Sequence, residues 1–273
     1  MNNNSSPKRS RPNNKFARPK RSPFRGPKPQ STNGVKTNVA STEISPEDTA
    51  FIKSLVLDAT LHYVVLNKPS GLAVQSGNGV EKCVDNLLSA LVINQRKKPK
   101  LVHRIDRETS GILIAAKNRT TAAFLSEQFA QKKARKTYYA IVIGQPSQSG
   151  IIDVPLKRGK TGNIDISVIA NKGDKDAQAA ETIFETLKTN GKISLVKLYP
   201  KTGRMHQLRS HLAYIGHPIL GDMKYGGLLS IDGKKVPRLM LHAQTLEIDT
   251  GDGIKRFECP LPDDMNEWLG AFQ

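Results

Sequence analysis

"LVHRIDRETSGILIAAK", Leu101 to Lys117, joins two kinds of sequence that seldom touch. Ile112 to Ala116 is an unbroken apolar run of the length and composition expected of a buried strand. Just ahead of it, His103 to Glu108 crowds a histidine, two arginines, an aspartate and a glutamate into six residues, followed by a Thr-Ser-Gly turn. Asp106 therefore stands between Arg104 and Arg107 at the mouth of a strand, and nearby positive charge favours its ionised form. Either it is a structural ion-pair partner, or it is held charged and aimed at a ligand.

The surrounding segments set the fold class. "SPEDTAFIKSLV", from Ser45, predicts a short capped helix. "HYVVLNKPSGLAV" reads as strand, Lys-Pro-Ser-Gly turn and second strand. Val84 to Gln95 is expected to be helical, and "RTTAAFLSEQFAQKKA" spaces Ala122, Leu125 and Phe129 for an amphipathic helix. "RKTYYAIVIG" returns as a strand in which alternation turns Tyr138 and Tyr139 to opposite faces. Short strands and Gly- and Lys-rich loops are expected from Ser149 to Ala180. "ETIFETL" and "ISLVKLYP" then pair about a turn at Thr189 to Lys192. After "KTGR" a helix is expected with Met205, Leu208, Leu212 and Ile215 on one stripe, ending at "GHPILGD". "LMLHAQTLEI" and "KRFECPLP" close the chain as strands. Strands and helices mix without a βαβ rhythm, which favours α+β with a mixed, largely antiparallel sheet and flanking helices.

Composition narrows the partner. The chain has 273 residues, 42 Lys+Arg and 24 Asp+Glu, a net charge of +18. Residues 1–40 hold ten basic residues and no acidic one, leaving 32 basic against 24 acidic residues beyond them, a net of +8. A basic arm on a basic body points to a polyanion, nucleic acid ahead of an anionic membrane. The arm, residues 1–44, is rich in Asn, Ser, Pro, Lys and Arg and is expected to be disordered, since it cannot bury enough apolar area to offset ordering entropy. The ordered domain is expected over residues 45–273. No apolar run is long enough to span a bilayer. Two isolated cysteines, Cys83 and Cys259, offer neither a disulfide framework nor a CxxC motif, in keeping with a reducing, cytoplasmic compartment.

Several familiar motifs fail. "HRID" resembles a kinase catalytic loop, but no Gly-rich loop, VAIK lysine or DFG accompanies it. His206 and His211 are five apart, not the four of a zinc helix, and the HExxH glutamate is absent. "NKPSG" lacks the Walker spacing. What survives is one acid, one phenol and several guanidiniums. Arg209, at the flank of its helix stripe, could pair with a buried carboxylate or simply be solvated. Tyr138 could line a cleft or pack in a core. His206 and His217 read as structural hydrogen-bonders.

Taken together, "NKPSGLAV", "HRIDRETSGILIAAK", "KTYYAIVIG", "TGRMHQLRSHLAYIGHPILGD" and "LMLHAQTLEI" stand in the order and approximate spacing of the RluA-type pseudouridine synthases, over roughly residues 60–262. The chain most resembles the branch that modifies large-subunit (23S-type) ribosomal RNA. The resemblance implies a pseudouridine synthase fold and an isomerase that converts RNA uridine to pseudouridine without nucleotide, metal or redox cofactor. It implies Asp106 as the essential aspartate, Tyr138 as the active-site tyrosine that packs against the target uracil and serves, or a water serves, as the base for the last proton, and Arg209 as the arginine paired with the aspartate. Arg104, His103, Arg204 and Lys136 are implied as substrate-binding. Ile105, Met205 and Ser210 depart from the usual residues without touching a reacting group. A transfer-RNA enzyme and a non-catalytic ribosome-assembly factor are the alternatives, and a cytoplasmic monomer is expected. Too few residues separate the arm from the first strand for the small helical RNA-binding domain that many ribosomal members carry.

Overall fold

The computed structural model describes residues 1, 44–77, 82–92, 97–171 and 173–270. The basic arm expected over residues 1–44 falls almost wholly outside them, as do residues 93–95 of the expected helix. Glu43–Gln273 forms one compact unit.

Among the described residues fourteen strands and five α-helices follow in order: α1 (Pro46–Ser54), β1 (Val56–Ala59), β2 (Tyr63–Lys68), α2 (Val84–Leu87), β3 (Lys100–Leu101), β4 (Ser110–Ala116) and α3 (Arg119–Ala130). Then come β5 (Arg135–Ile143), β6 (Ser149–Asp153), β7 (Leu156–Thr161), β8 (Ile164–Ile169), β9 (Glu181–Thr189), β10 (Ile193–Pro200) and α4 (Gln207–Tyr214). β11 (Ser230–Ile231), β12 (Lys234–Lys235), β13 (Leu241–Asp249), β14 (Ile254–Glu258) and α5 (Asp263–Leu269) complete it. Ten strands form one sheet in the order β1-β2-β4-β13-β5-β10-β9-β6, with β3 on β4 and β14 on β13. Its pairs are antiparallel except β4 with β13. The expected α+β class, with a largely antiparallel sheet and flanking helices, is the observed one.

β4 is an interior strand, between β2 and β13, and is buried at every position. Leu113 and Ala115 pack under α1 and α2, while Ile112, Ile114 and Ala116 pack on the other face with Leu125 of α3. Two covered faces are why this strand reads as a continuous apolar run rather than an alternation, and each large aliphatic side chain buried there contributes about 1.5–3 kcal/mol. At the parallel junction Gly111 has φ +111°, and a Cβ on it would lie 2.2 Å from the Ala243 carbonyl oxygen. Ser110 Oγ is 2.9 Å from His242 Nδ1. The Thr-Ser-Gly of the opening stretch is thus the point where β4 is pressed against β13.

Several expectations need correction. Leu72 and Val74 are buried, but their segment is not a strand of the sheet; Ala73 makes an isolated bridge to Cys83. The segment is held instead by the buried Lys68 ammonium, which donates to the carbonyls of Pro69, Leu72 and Arg107 at 2.9, 2.8 and 3.0 Å. The expected helix after Val84 is a single α-turn continued as a 3-10 turn, Leu88–Leu91. α4 starts at Gln207 and ends at Tyr214, so Met205 and Ile215 fall outside it, and Gln207 through Leu212 are all buried. Its burial on most sides overrides a one-stripe reading. α5 is additional to the expected elements; Pro262 followed by an acidic first turn signals it, and Met265 and Trp268 enter the core.

Candidate active site

The residues of the opening stretch meet those of the "TGRMHQLR" segment in a cavity of about 540 Å³. One wall is the 103–109 loop ahead of β4. Lys136 and Tyr138 of β5, residues 200–209 and Leu241 of β13 supply the others, with Phe129 and Lys132 at the end of α3. All seven residues singled out above line it: His103, Arg104, Asp106, Lys136, Tyr138, Arg204 and Arg209.

Arg209 is the fixed point. Its side chain is 2% exposed, and Nε and Nη2 each donate at 2.7 Å to Asp222, itself fully buried. The Tyr225 ring lies 5.3 Å from the guanidinium carbon. Burial alone would lower the pKa of Arg209, but the bond and charge of Asp222, with Asp106 and Glu108 further out, reverse this and hold it raised. Nη1 is buried without a hydrogen-bond partner. It faces Asp106 Oδ2 at 3.9 Å and Glu108 Oε2 at 3.6 Å. The expected Asp106–Arg209 pairing is therefore a long ionic contact, and the bidentate bond goes to a carboxylate to which the sequence reading assigned no role. A buried arginine requires a buried acid, and Asp222 of "GHPILGD" is that acid. Its loop is wound tightly: a Cβ on Gly227 would lie 2.1 Å from the Ile219 carbonyl oxygen, and Gly227 N–H donates to Asp222 O at 2.8 Å.

α4 is bolted to the sheet at its first residue. Gln207 Oε1 accepts from Thr202 Oγ1 (2.6 Å) and Arg204 N–H (3.1 Å), and its amide nitrogen donates to Glu181 O (2.9 Å) and Thr182 Oγ1 (3.0 Å). These bonds aim Arg209 into the cavity.

Asp106 is part-exposed, at 23% of its side chain. The arginines beside it in sequence do not pair with it among the described residues. Arg107 Nε donates to Gly71 O at 2.9 Å, and Arg104 is exposed at the rim without a hydrogen bond or ion pair to the described protein. Charge on Asp106 is thus answered from α4 rather than from its own loop. Tyr138 shares the cavity with it; burial, then the charge of Asp106, pushes the phenol far above its ordinary pKa, so it is a neutral hydroxyl. Tyr139, one residue on, packs against one core cluster, while Tyr138 touches that cluster and a second.

His103 serves the scaffold: Nε2 accepts the Ile114 N–H at 3.0 Å and the ring stacks on Phe129 at 4.3 Å. Burial, then Lys136, pushes it down to about 3, keeping it the neutral acceptor that this bond needs. Burial also lowers Lys136. Arg204 Nε donates to Ala179 O at 3.1 Å. Lys68, behind the loop, is pulled down to about 7 by burial against the opposing charges of Asp106 and Glu108. Its three carbonyl bonds call for the ammonium.

The family described as RNA pseudouridylate synthase matches residues 62–214, which contain every residue assigned to the cavity above except Leu241. The chain is 41% identical over 223 residues to the ribosomal large subunit pseudouridine synthase D of Borreliella burgdorferi, covering 77% of this chain and 65% of that one. It is 35% identical over 238 residues to the ribosomal large subunit pseudouridine synthase C of Vibrio cholerae, covering 84% and 73%. Among solved structures, Human RNA Pseudouridylate Synthase Domain Containing 4 superposes with a TM-score of 0.70 at 26% identity, over 83% of this chain and 97% of that one. The chain thus spans just under two thirds of the Borreliella relative. The family match takes in the Asp106 loop, Tyr138 and Arg209 together, the fold superposes, and the relatives pass well beyond 30% identity: the chain belongs to the RNA pseudouridylate synthase family.

Proposed function

We propose that this protein is an RNA pseudouridine synthase acting on large-subunit ribosomal RNA, with Asp106 as its catalytic residue. The observation that carries the reading is the arrangement of Asp106, part-exposed over a cavity, against the unpartnered Nη1 of a guanidinium that Asp222 has locked from behind. The relatives named for the large ribosomal subunit support the substrate.

Pseudouridine formation breaks the bond between uracil nitrogen 1 and the ribose, turns the base and rejoins it through carbon 5. The product is an isomer, so nothing is consumed. Asp106 acts as nucleophile or as stabiliser of the charge that develops when the bond breaks, with Arg209 as its ionic partner at 3.9 Å. Tyr138, held protonated, supplies a flat packing surface for the uracil. A phenolate base is disfavoured by the same burial, which leaves the last proton on carbon 5 to water or to the Asp106 carboxylate. Extruding the base from its stack costs a few kcal/mol. Arg104 and Arg204 are in position to grip the flanking phosphates and offset it, and the basic arm adds salt-dependent attraction. Catalysis as a cytoplasmic monomer is part of the reading.

Mapping pseudouridines in total RNA by carbodiimide-dependent primer extension, from cells with and without the gene, tests it. Loss of large-subunit sites, restored by wild type but not by Asp106→Asn, is the expected outcome. Loss in transfer RNA alone would overturn the substrate. Restoration by Asp106→Asn would overturn the chemistry in favour of an assembly factor.

A further inference from the structure

A second polar side chain in the cavity has its orientation settled by a chain of hydrogen bonds. His206 stands immediately before α4 with φ +48°, a left-handed conformation that is strained for a histidine. It is held from two sides. Ser167 of β8 donates its N–H to Tyr225 Oη at 2.7 Å and its hydroxyl to the Met205 carbonyl. Tyr225 Oη lies 3.1 Å from His206 Nδ1, with the two rings edge to face.

The direction of these bonds decides the tautomer. Tyr225 Oη already accepts the Ser167 proton, and among the described residues its own proton has a single acceptor in reach, His206 Nδ1. Nδ1 is then unprotonated, and a neutral ring carries its proton on Nε2. The surroundings favour the neutral ring: burial lowers its pKa, Asp106 opposes this, Arg209 and Lys224 reinforce it, and Glu108 opposes it weakly. Nε2 has no partner among the described residues, and His206 lines the same cavity as Asp106 and Tyr138. The cavity therefore presents a fixed, uncharged donor beside a carboxylate. Such a donor suits a carbonyl oxygen, whereas phosphates are better met by the cations at the rim.

We propose that His206 reads the target base, its Nε2–H donating to a carbonyl oxygen of the extruded uracil, and that Tyr225 is the positioning residue that fixes the tautomer. The inference rests on the pseudouridine synthase reading above. Uracil carries carbonyls at positions 2 and 4, on either side of nitrogen 3. Turning the ring by half a revolution about the axis through nitrogen 3 and carbon 6 exchanges nitrogen 1 with carbon 5, and exchanges the two carbonyls. One stationary donor thus serves the base before and after its turn. Cytosine has an amino group at position 4, so in one of the two orientations it sets donor against donor, an arrangement such sites reject strongly.

The test uses the full chain, a synthetic RNA carrying the mapped target uridine, and the same RNA with that uridine replaced by 2-thiouridine or 4-thiouridine, whose sulfur is a weak acceptor. His206→Asn accepts the left-handed backbone and keeps an amide near Nδ1, but is too short to replace Nε2–H. It is expected to lower kcat/KM on the uridine RNA by about 10- to 100-fold. Thio substitution is expected to slow wild type several-fold and to add nothing in His206→Asn. Tyr225→Phe keeps the ring against Arg209 and removes the tautomer lock. Long-range proton–nitrogen correlation spectra should show the Nε2–H form of His206 in wild type and its loss in Tyr225→Phe. Equal thio effects in wild type and His206→Asn, or an Nδ1–H tautomer in wild type, would overturn the inference alone. A wild-type protein that forms pseudouridine in no RNA would overturn the reading beneath it.

Discussion

Asp106 and Asp222 flank the same guanidinium and are held by opposite means. Asp222 is fully buried, bonded twice to Arg209 at 2.7 Å, and sits in a loop so tight that Gly227 has no room for a Cβ. Asp106 is part-exposed, and its nearest approach to Arg209 is 3.9 Å. Its loop is fastened by other groups: Lys68 beneath Arg107 O, Arg107 onto Gly71, and Gly111 against β13. One acid belongs to the scaffold and spends its lone pairs there; the other is left with lone pairs to offer. The pair shows how a fold can set a carboxylate beside a guanidinium without tying it up. It locks the counter-ion with a second acid and stops the first just outside hydrogen-bond range.

Separating activity from stability tests that contrast. Asp106→Asn should cost at least about a thousandfold in kcat while leaving the melting temperature nearly unchanged, because its ionic contact is long and half-wet. Kinetics and calorimetry on the same preparation check both halves, and a large fall in melting temperature would erase the distinction. Asp222→Ala should do the reverse. It strands a buried guanidinium and should destabilise by about 3–5 kcal/mol, visible as a lower denaturant midpoint, with activity falling as Arg209 loses its aim. Gly111→Ala pushes a Cβ into the Ala243 carbonyl at a positive φ. It should cost at least about 2 kcal/mol by the same unfolding measurement, although it touches no group in the cavity.

Two smaller effects sharpen the picture at its edges. His103, pushed down to about 3, and His242, which burial above all pushes down to about 4, are neutral rings in the folded protein. The unfolded chain takes up these protons near pH 6.5, so acid favours unfolding from there downward. Stability should be complete above about 6.5 and decline as pH falls toward 4, and His242→Gln should flatten the decline of melting temperature with pH. Arg104→Ala removes an exposed cation at the rim and should raise KM several-fold. It should also lower the salt dependence of RNA binding by about one ion, with kcat unchanged.

How much of this was legible depended on range. β4, α1, α3, β5 and the β9–β10 hairpin follow from local patterns, since apolar runs, caps and a Gly turn act over a few residues. Leu72 to Val74 misled because its apolar residues are buried by a lysine and a single bridge rather than by a ladder. α4 misled in the other direction: a helix enclosed on most sides has no one stripe to read. In the site, Asp106, Tyr138 and Arg209 could be named from their motifs, but Asp222 and Tyr225 could not. Their meaning lies in what they touch across the fold.

The sequence by itself determined the α+β class, the buried strand with its crowded loop, the basic charge and the residues that meet in the cavity, because each is carried by neighbours in the chain. Only the tertiary structure decided which acid locks Arg209, which acid stays open, that the arginines beside Asp106 turn away from it, and that His206 meets the Tyr225 hydroxyl. Those outcomes depend on distances between segments remote in sequence, and a hydrogen bond is made or missed within a few tenths of an ångström.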